Sequence, residues 1–170
     1  MKTLPAGIAL MLVLQVSAQE SWPPLDNSPM DMVYYPVDYP ILKIRKQAPE
    51  APVIKIVYSR PVKKNRKIFG ELVEYGKVWR LGANEATEID CYKDIKIGNI
   101  KIKKGKYTMY AIPEADKWTI IINKDNDVWG SFAYDQQKDI LRTTVKTQKT
   151  DAPVEMFSML IKKQHLVQTC

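Results

Sequence analysis

The stretch IKIGNIKIKKGKYTMYAI, residues 95–112, decides the fold because it contains the clearest β-hairpin in the chain. Isoleucine and lysine alternate on both sides of Gly98 and Asn99, and a period of two is the pattern of a strand with one buried face. A central Gly-Asn pair supplies the backbone conformations of a two-residue hairpin turn. The next run, residues 107–112, is apolar on both faces and therefore predicts a central strand.

The same alternation recurs outward from this hairpin. Short strands at intervals near ten residues, without a convincing amphipathic helix, indicate an all-β, antiparallel β-sandwich that is jelly-roll-like or barrel-like. We predict that residues 53–163 form this single domain. The other predicted strands are residues 53–58, 77–81, 87–92, 118–122, 128–134, 140–146 and 154–161.

Residues 19–52 are rich in proline, which lacks an amide hydrogen and restricts the backbone. Such a density of proline excludes a helix and all strands except edge strands. We therefore predict an extended Pro-rich arm that lies along the domain. Its packing residues would be Met30, Met32, Tyr34, Tyr35 and Tyr39.

The first eighteen residues have the pattern of a signal peptide. Lys2 precedes an apolar run over residues 8–16, and small residues lead to a cleavage position after Ala18. The run is about nine residues long, too short to cross a hydrocarbon layer of roughly 30 Å as a helix. Residues 1–18 therefore predict an exported protein, periplasmic or extracellular, without a transmembrane span.

The net charge of +7 is spread along strands except at one dense basic patch. Export argues against nucleic acid as the partner, so an acidic glycan or a phosphorylated head group would fit the patch better. A plain solvated loop is the alternative, and the pattern favours it. The patch consists of Lys63, Lys64, Arg66 and Lys67.

The inventory of reactive residues is small. One histidine, His165, and two cysteines do not supply a usual catalytic triad or zinc site, and no glycine-rich phosphate loop is present. We predict no catalytic residue, metal or cofactor. Cys91 is expected to be buried and free, with a bridge to Cys170 left open.

The constellation WRLGANEAT, residues 79–87, is the strongest candidate site. An arginine fork, an amide and a carboxylate beside an aromatic ring could bind a sugar or a small carboxylate. The alternative is structural, with Arg80 and Glu85 pairing to hold a hairpin while Trp79 fills the core. The candidate ligand-binding residues are Arg60, Trp79, Arg80, Asn84 and Glu85.

Over residues 58–157 the chain resembles the bacterial domain-of-unknown-function family 2911. The resemblance is carried by YSRP at 58–61, RKIFGELVEYGKVWRLGANEAT at 66–87, KGKYTMYAIP at 104–113 and WGSFAYD at 129–135. It implies an exported, mostly β domain and brings no assigned reaction or ligand. Family members usually continue into a further strand, so residues 164–170 are expected to be an aberrant or truncated tail.

These observations favour a non-enzymatic binding module for a glycan or small anionic ligand at the cell envelope. A first alternative is a structural or interaction module that docks another envelope protein through its loop and arm. A second alternative is a carboxylate-dependent hydrolase in which Glu85 works with Glu74 or Asp90. The expected partners are accordingly a glycan, a small anionic ligand or an envelope protein.

Overall fold

A computed structural model describes residues 22–162, which form a six-stranded antiparallel sheet and a separate two-stranded sheet. The predicted all-β, antiparallel class is confirmed. The predicted signal peptide and the tail at 164–170 lie outside the described residues. The elements are β1 (Met30–Tyr35), α1 (Tyr39–Ile44), β2 (Ile54–Ser59), β3 (Glu88–Cys91), β4 (Ile95–Ile97), β5 (Ile100–Ile102), β6 (Gly105–Pro113), β7 (Lys117–Asn123), a 3₁₀ turn (Gln136–Lys138) and β8 (Asp139–Lys146).

The large sheet has the strand order β1-β2-β3-β6-β7-β8, so β6 lies inside it between β3 and β7. The central strand predicted from residues 107–112 is therefore confirmed. The predicted hairpin also forms, since Ile97 pairs with Ile100 across a turn in which Gly98 has φ 56°. The local sequence pattern therefore predicted both the hairpin and the central strand correctly.

Both faces of the large sheet are covered by apolar side chains. On one face Ile56, Ile89 and Ile122 pack with Ile102 of the β4–β5 hairpin. Tyr110 and Ile121 face the other side, because successive residues of a strand alternate between faces; they form a second cluster with Ala86. Cys91 is buried in the first cluster as predicted, while Cys170 lies outside the described residues.

The proline-rich region is more regular than an extended arm. β1 pairs with β2 from Met30 opposite Ser59 onward and lies at the sheet edge, the one sheet position compatible with nearby prolines. The prediction of no helix was wrong, because α1 begins at Tyr39. Pro40 stands in its first turn, where a missing amide hydrogen costs no intrahelical bond. Between residues 22 and 162 no helix is long and apolar enough to span a membrane.

Three predicted strands do not form as strands. Residues 77–81, 128–134 and 154–161 each make only an isolated bridge; the first runs beside β6 and the second forms a turn. Left-handed backbone at Leu81 (φ 56°) and an unusual φ of 153° at Gly82 interrupt the first of them. The bridges join Trp79 to Ala111, Glu85 to Trp129 and Val62 to Met156.

Candidate functional site

A cavity of about 730 Å³ lies between these irregular segments. Its size is within the range of small-molecule sites, roughly 300–1,000 Å³. Residues from 61–83, from 154–158 and from the turn at 131–132 line it, together with Ser28 and Trp118. The segment 61–83 therefore contributes most of the lining.

One wall of the cavity is a cluster of four aromatic rings. Phe69, Trp79 and Trp118 meet edge to face, with ring centroids 4.8–5.7 Å apart. Phe157 packs against Trp79 at 5.3 Å. The indole Nε1 of Trp79 donates to the carbonyl of Gly82 at 3.1 Å, so its polar atom is used within the protein. Trp79 therefore serves the core and the cavity wall together.

Hydrogen bonds from neighbouring elements fix the bend after Leu81. The Ser59 hydroxyl accepts from the Ala83 amide and donates to the Ala83 carbonyl, both at 2.6 Å. The Thr87 hydroxyl donates to the Leu81 carbonyl at 2.7 Å. A Cβ on Gly82 would lie 2.5 Å from the Ser59 oxygen, so only glycine fits there without displacement. The bend is consequently a rigid part of the lining.

Arg80 brings a positive charge to the cavity lining. Its Nε is buried and has no hydrogen-bond partner among the described residues, and no salt bridge within residues 22–162 involves its guanidinium. Burial lowers the pKa of Arg80, although an arginine keeps its charge in proteins. The buried Nε is out of reach of a ligand, so an anion in the cavity would bind the terminal nitrogens of the guanidinium.

The other predicted ligand-binding residues lie outside the lining of this cavity. Arg60 donates to Asp31 at 2.9 Å and also to the Phe157 carbonyl and the Ser158 hydroxyl, so its guanidinium is engaged by the protein. The Asn84 amide donates to Asp26 at 3.0 Å. Glu85 is exposed, and its backbone pairs with that of Trp129. Of the five residues, Trp79 and Arg80 meet at the cavity.

The predicted basic patch is divided between the cavity and solvent. Lys63 and Arg66 line the cavity, and the Arg66 guanidinium donates to the carbonyls of Lys63 and Val62. Lys67 is exposed and pairs with Glu71 at 3.1 Å. Lys64 is also exposed. Two of the four cations therefore line the cavity and two do not.

The carboxylates named for a hydrolase are likewise dispersed. Glu74 lines the cavity, Glu85 is exposed, and Asp90 forms an ion pair with Lys55 at 2.7 Å. Hydrogen bonding to Asp90 raises the pKa of Lys55. The part of the chain that the structure describes contains no group of three or more His, Cys, Asp or Glu residues arranged to hold a metal ion.

Sequence reasoning missed a pair of exposed aromatic residues. Trp129 and Phe132 stack with ring centroids 5.9 Å apart and an angle of 22° between the rings. Phe132 also lines the cavity. The signal was visible in the tetrapeptide WGSF at 129–132, where two aromatic residues flank a turn-forming Gly-Ser pair.

The comparisons with known proteins identify a family without an assigned activity. No curated protein and no solved structure matches the chain. One family profile, described as "Protein of unknown function (DUF2911)", matches residues 41–169, which include the last four residues of α1. This match covers most of the chain and agrees with the resemblance read from its motifs. The chain belongs to the DUF2911 family.

Proposed function

We propose that this protein is a non-enzymatic binding module for a small anionic ligand, or a glycan carrying an anionic group, at the cell envelope. The observation that carries the proposal is the uncompensated guanidinium of Arg80 in a cavity of ligand size. A carboxylate or phosphate on the ligand would accept hydrogen bonds from the terminal guanidinium nitrogens of Arg80, since Nε itself is buried from solvent.

The charges around the cavity support an anionic ligand. Its lining has four basic side chains and two acidic ones. One acidic side chain is hydrogen-bonded within the protein, because a Glu155 carboxylate oxygen accepts a hydrogen bond from the backbone amide of Lys64 at 2.7 Å. The lining is therefore cationic on balance. The basic residues are Lys63, Arg66, Lys77 and Arg80, and the acidic ones are Glu74 and Glu155.

The aromatic wall supports a ligand with an apolar body or an apolar face. Phe69, Trp118 and Phe157 contribute large surfaces to the lining, and their edge-to-face packing holds them in place. Burying apolar ligand area against such a wall contributes roughly 25 cal/mol for each Å² removed from water. Arg80 would then orient the ligand, while the wall supplies most of the affinity.

The envelope location and the absence of catalysis belong to the same proposal. The predicted leader at 1–18 supports the location. The dispersal of Glu74, Glu85 and Asp90 favours binding over a mechanism based on paired carboxylates.

Calorimetric titration with matched acidic and neutral ligands tests this function. The panel contains glucuronate with glucose, and aryl carboxylates with their amides. We expect the acids to bind. Arg80→Ala should lower their affinity by about tenfold to a hundredfold, because it removes one charge-assisted contact. Arg45→Ala is the control, because Arg45 is exposed and not part of the lining. Binding that is unaltered by Arg80→Ala, or absent throughout the panel, would contradict the proposal.

A further inference from the structure

Trp129 and Phe132 form an exposed aromatic platform beside the cavity. Trp129 is 62% exposed and Phe132 is 84% exposed, although both are large apolar residues. Their rings stack on each other at 5.9 Å, and Phe132 also belongs to the cavity lining. The platform and the cavity are therefore continuous.

The turn that carries the platform is held by specific contacts. The Gly130 amide donates to the Asn84 carbonyl at 2.9 Å, and the Ser131 hydroxyl donates to the Val78 carbonyl at 3.1 Å. Gly130 has φ 77°, and a Cβ there would lie 2.6 Å from a ring carbon of Phe132. The exposed rings are thus fixed in position before any ligand arrives, which lowers the ordering cost of binding.

Polar and acidic groups border this platform on its other side. Glu85 pairs with Trp129 through the backbone, and the Asn84 amide is hydrogen-bonded to Asp26. Glu85 lies opposite Trp129 in the bridge, so its exposed carboxylate would disfavour docking on an anionic membrane surface. The same carboxylate accepts hydrogen bonds from hydroxyl groups.

We infer that Trp129 and Phe132 stack against a sugar ring, and that the ligand is an acidic saccharide spanning the platform and the Arg80 cavity. The C–H groups of a pyranose face carry partial positive charge and match the negative face of an aromatic ring. Sugar hydroxyls lie towards Glu85, while the acid group lies at Arg80. The inference rests on the proposed function and names its ligand class.

The experiment titrates a glucuronic-acid-containing disaccharide and its neutral glucose counterpart into the full protein. Trp129→Ala and Phe132→Ala should weaken both saccharides by about threefold to tenfold, since both stack on the platform. Arg80→Ala should weaken only the acidic one. Trp22→Ala is the matched control, because Trp22 is 93% exposed and lies outside the cavity lining. Circular dichroism checks that each variant is folded.

Three outcomes would overturn the inference, and they separate it from the proposed function. If the binding of acidic saccharides depends on Arg80 but not on Trp129 or Phe132, the platform does not bind the sugar, and the anion site at Arg80 stands. If aryl carboxylates bind through Arg80 while neither saccharide binds, the ligand class is wrong. If vesicles of phosphatidylserine bind through Trp129 while saccharides do not, the platform is a membrane contact. Failure of every ligand in both panels removes the proposed function as well.

Discussion

Replacing Arg80 with methionine should stabilise the unliganded protein while abolishing recognition of an anion. The buried Nε of Arg80 has lost its water and gained no partner among the described residues. An unsatisfied buried donor costs about 1–3 kcal/mol, and we take about 1 kcal/mol because only one nitrogen of the guanidinium is affected. Methionine keeps the side chain as far as the position of Nε and removes the donor. For a chain of this size the gain corresponds to an increase in Tm of about 2–4 °C.

Urea denaturation and calorimetry of dialysed protein measure this effect against Arg60→Met. Arg60 donates to Asp31, Phe157 and Ser158, so its loss should destabilise the protein. The Arg60 and Asp31 side chains remain 33% and 40% exposed, and solvent screening limits that loss to about 1 kcal/mol. The two substitutions should therefore have opposite signs. A destabilised Arg80→Met variant would refute the reasoning, because it would mean that the guanidinium already has a structural partner.

Three further predictions concern the core and the bends. Gly82→Ala should lower the free energy of unfolding by about 2–3 kcal/mol in urea denaturation, since φ is 153° and the added Cβ meets a serine oxygen at 2.5 Å. Gly98→Ala is the control, because an added Cβ there meets open space, and it should lower the free energy of unfolding by about 1 kcal/mol. Burial raises the pKa of the Cys91 thiol from 9.0 to about 11, so Cys91 should resist iodoacetamide at pH 8 until the protein unfolds. The stability that Cys91 contributes is fully present below pH 9 and is lost as the pH rises through 11. Asp139→Ala should destabilise by about 2 kcal/mol, because the Tyr134 hydroxyl loses its acceptor (2.6 Å) while Asn123 and Arg142 each lose one of two acceptors. A loss no larger than that of Tyr134→Phe would count against this network.

The elements that were predictable from sequence are those whose partners are close in the chain. The β4–β5 hairpin is set by its alternation and by Gly98, and β6 by apolar residues on both faces. β6 and β7 are joined by a short turn and pair directly. In each case the residues that decide the structure lie within the segment itself or next to it.

The cavity walls depend on partners that are distant in sequence. Residues 77–81 have a strand pattern, but Trp79 finds a single bridge to Ala111 and the backbone then turns at Leu81. Arg60 and Arg80 look equivalent in sequence, since each ends a strand-like run near the same loop, Arg60 after Ser59 and Arg80 after Trp79. Arg60 is satisfied by Asp31 and by carbonyl and hydroxyl groups near residue 158, and no local pattern discloses those contacts.

The chain that follows β8 holds the irregular loop at residues 61–83 in place, which supports the proposed binding site. The Lys63 amide donates to the Glu155 carbonyl at 2.7 Å, and the Phe157 amide donates to the Pro61 carbonyl at 3.0 Å. These bonds hold the loop against the last described segment, with the aromatic wall packed behind them. Because that wall and the bend at Gly82 are fixed without a ligand, binding need not order them, and little of the interaction energy is lost to entropy. The proposed anion site therefore combines a rigid lining with a guanidinium that forms no ion pair among the described residues, an arrangement suited to selective recognition of an anion.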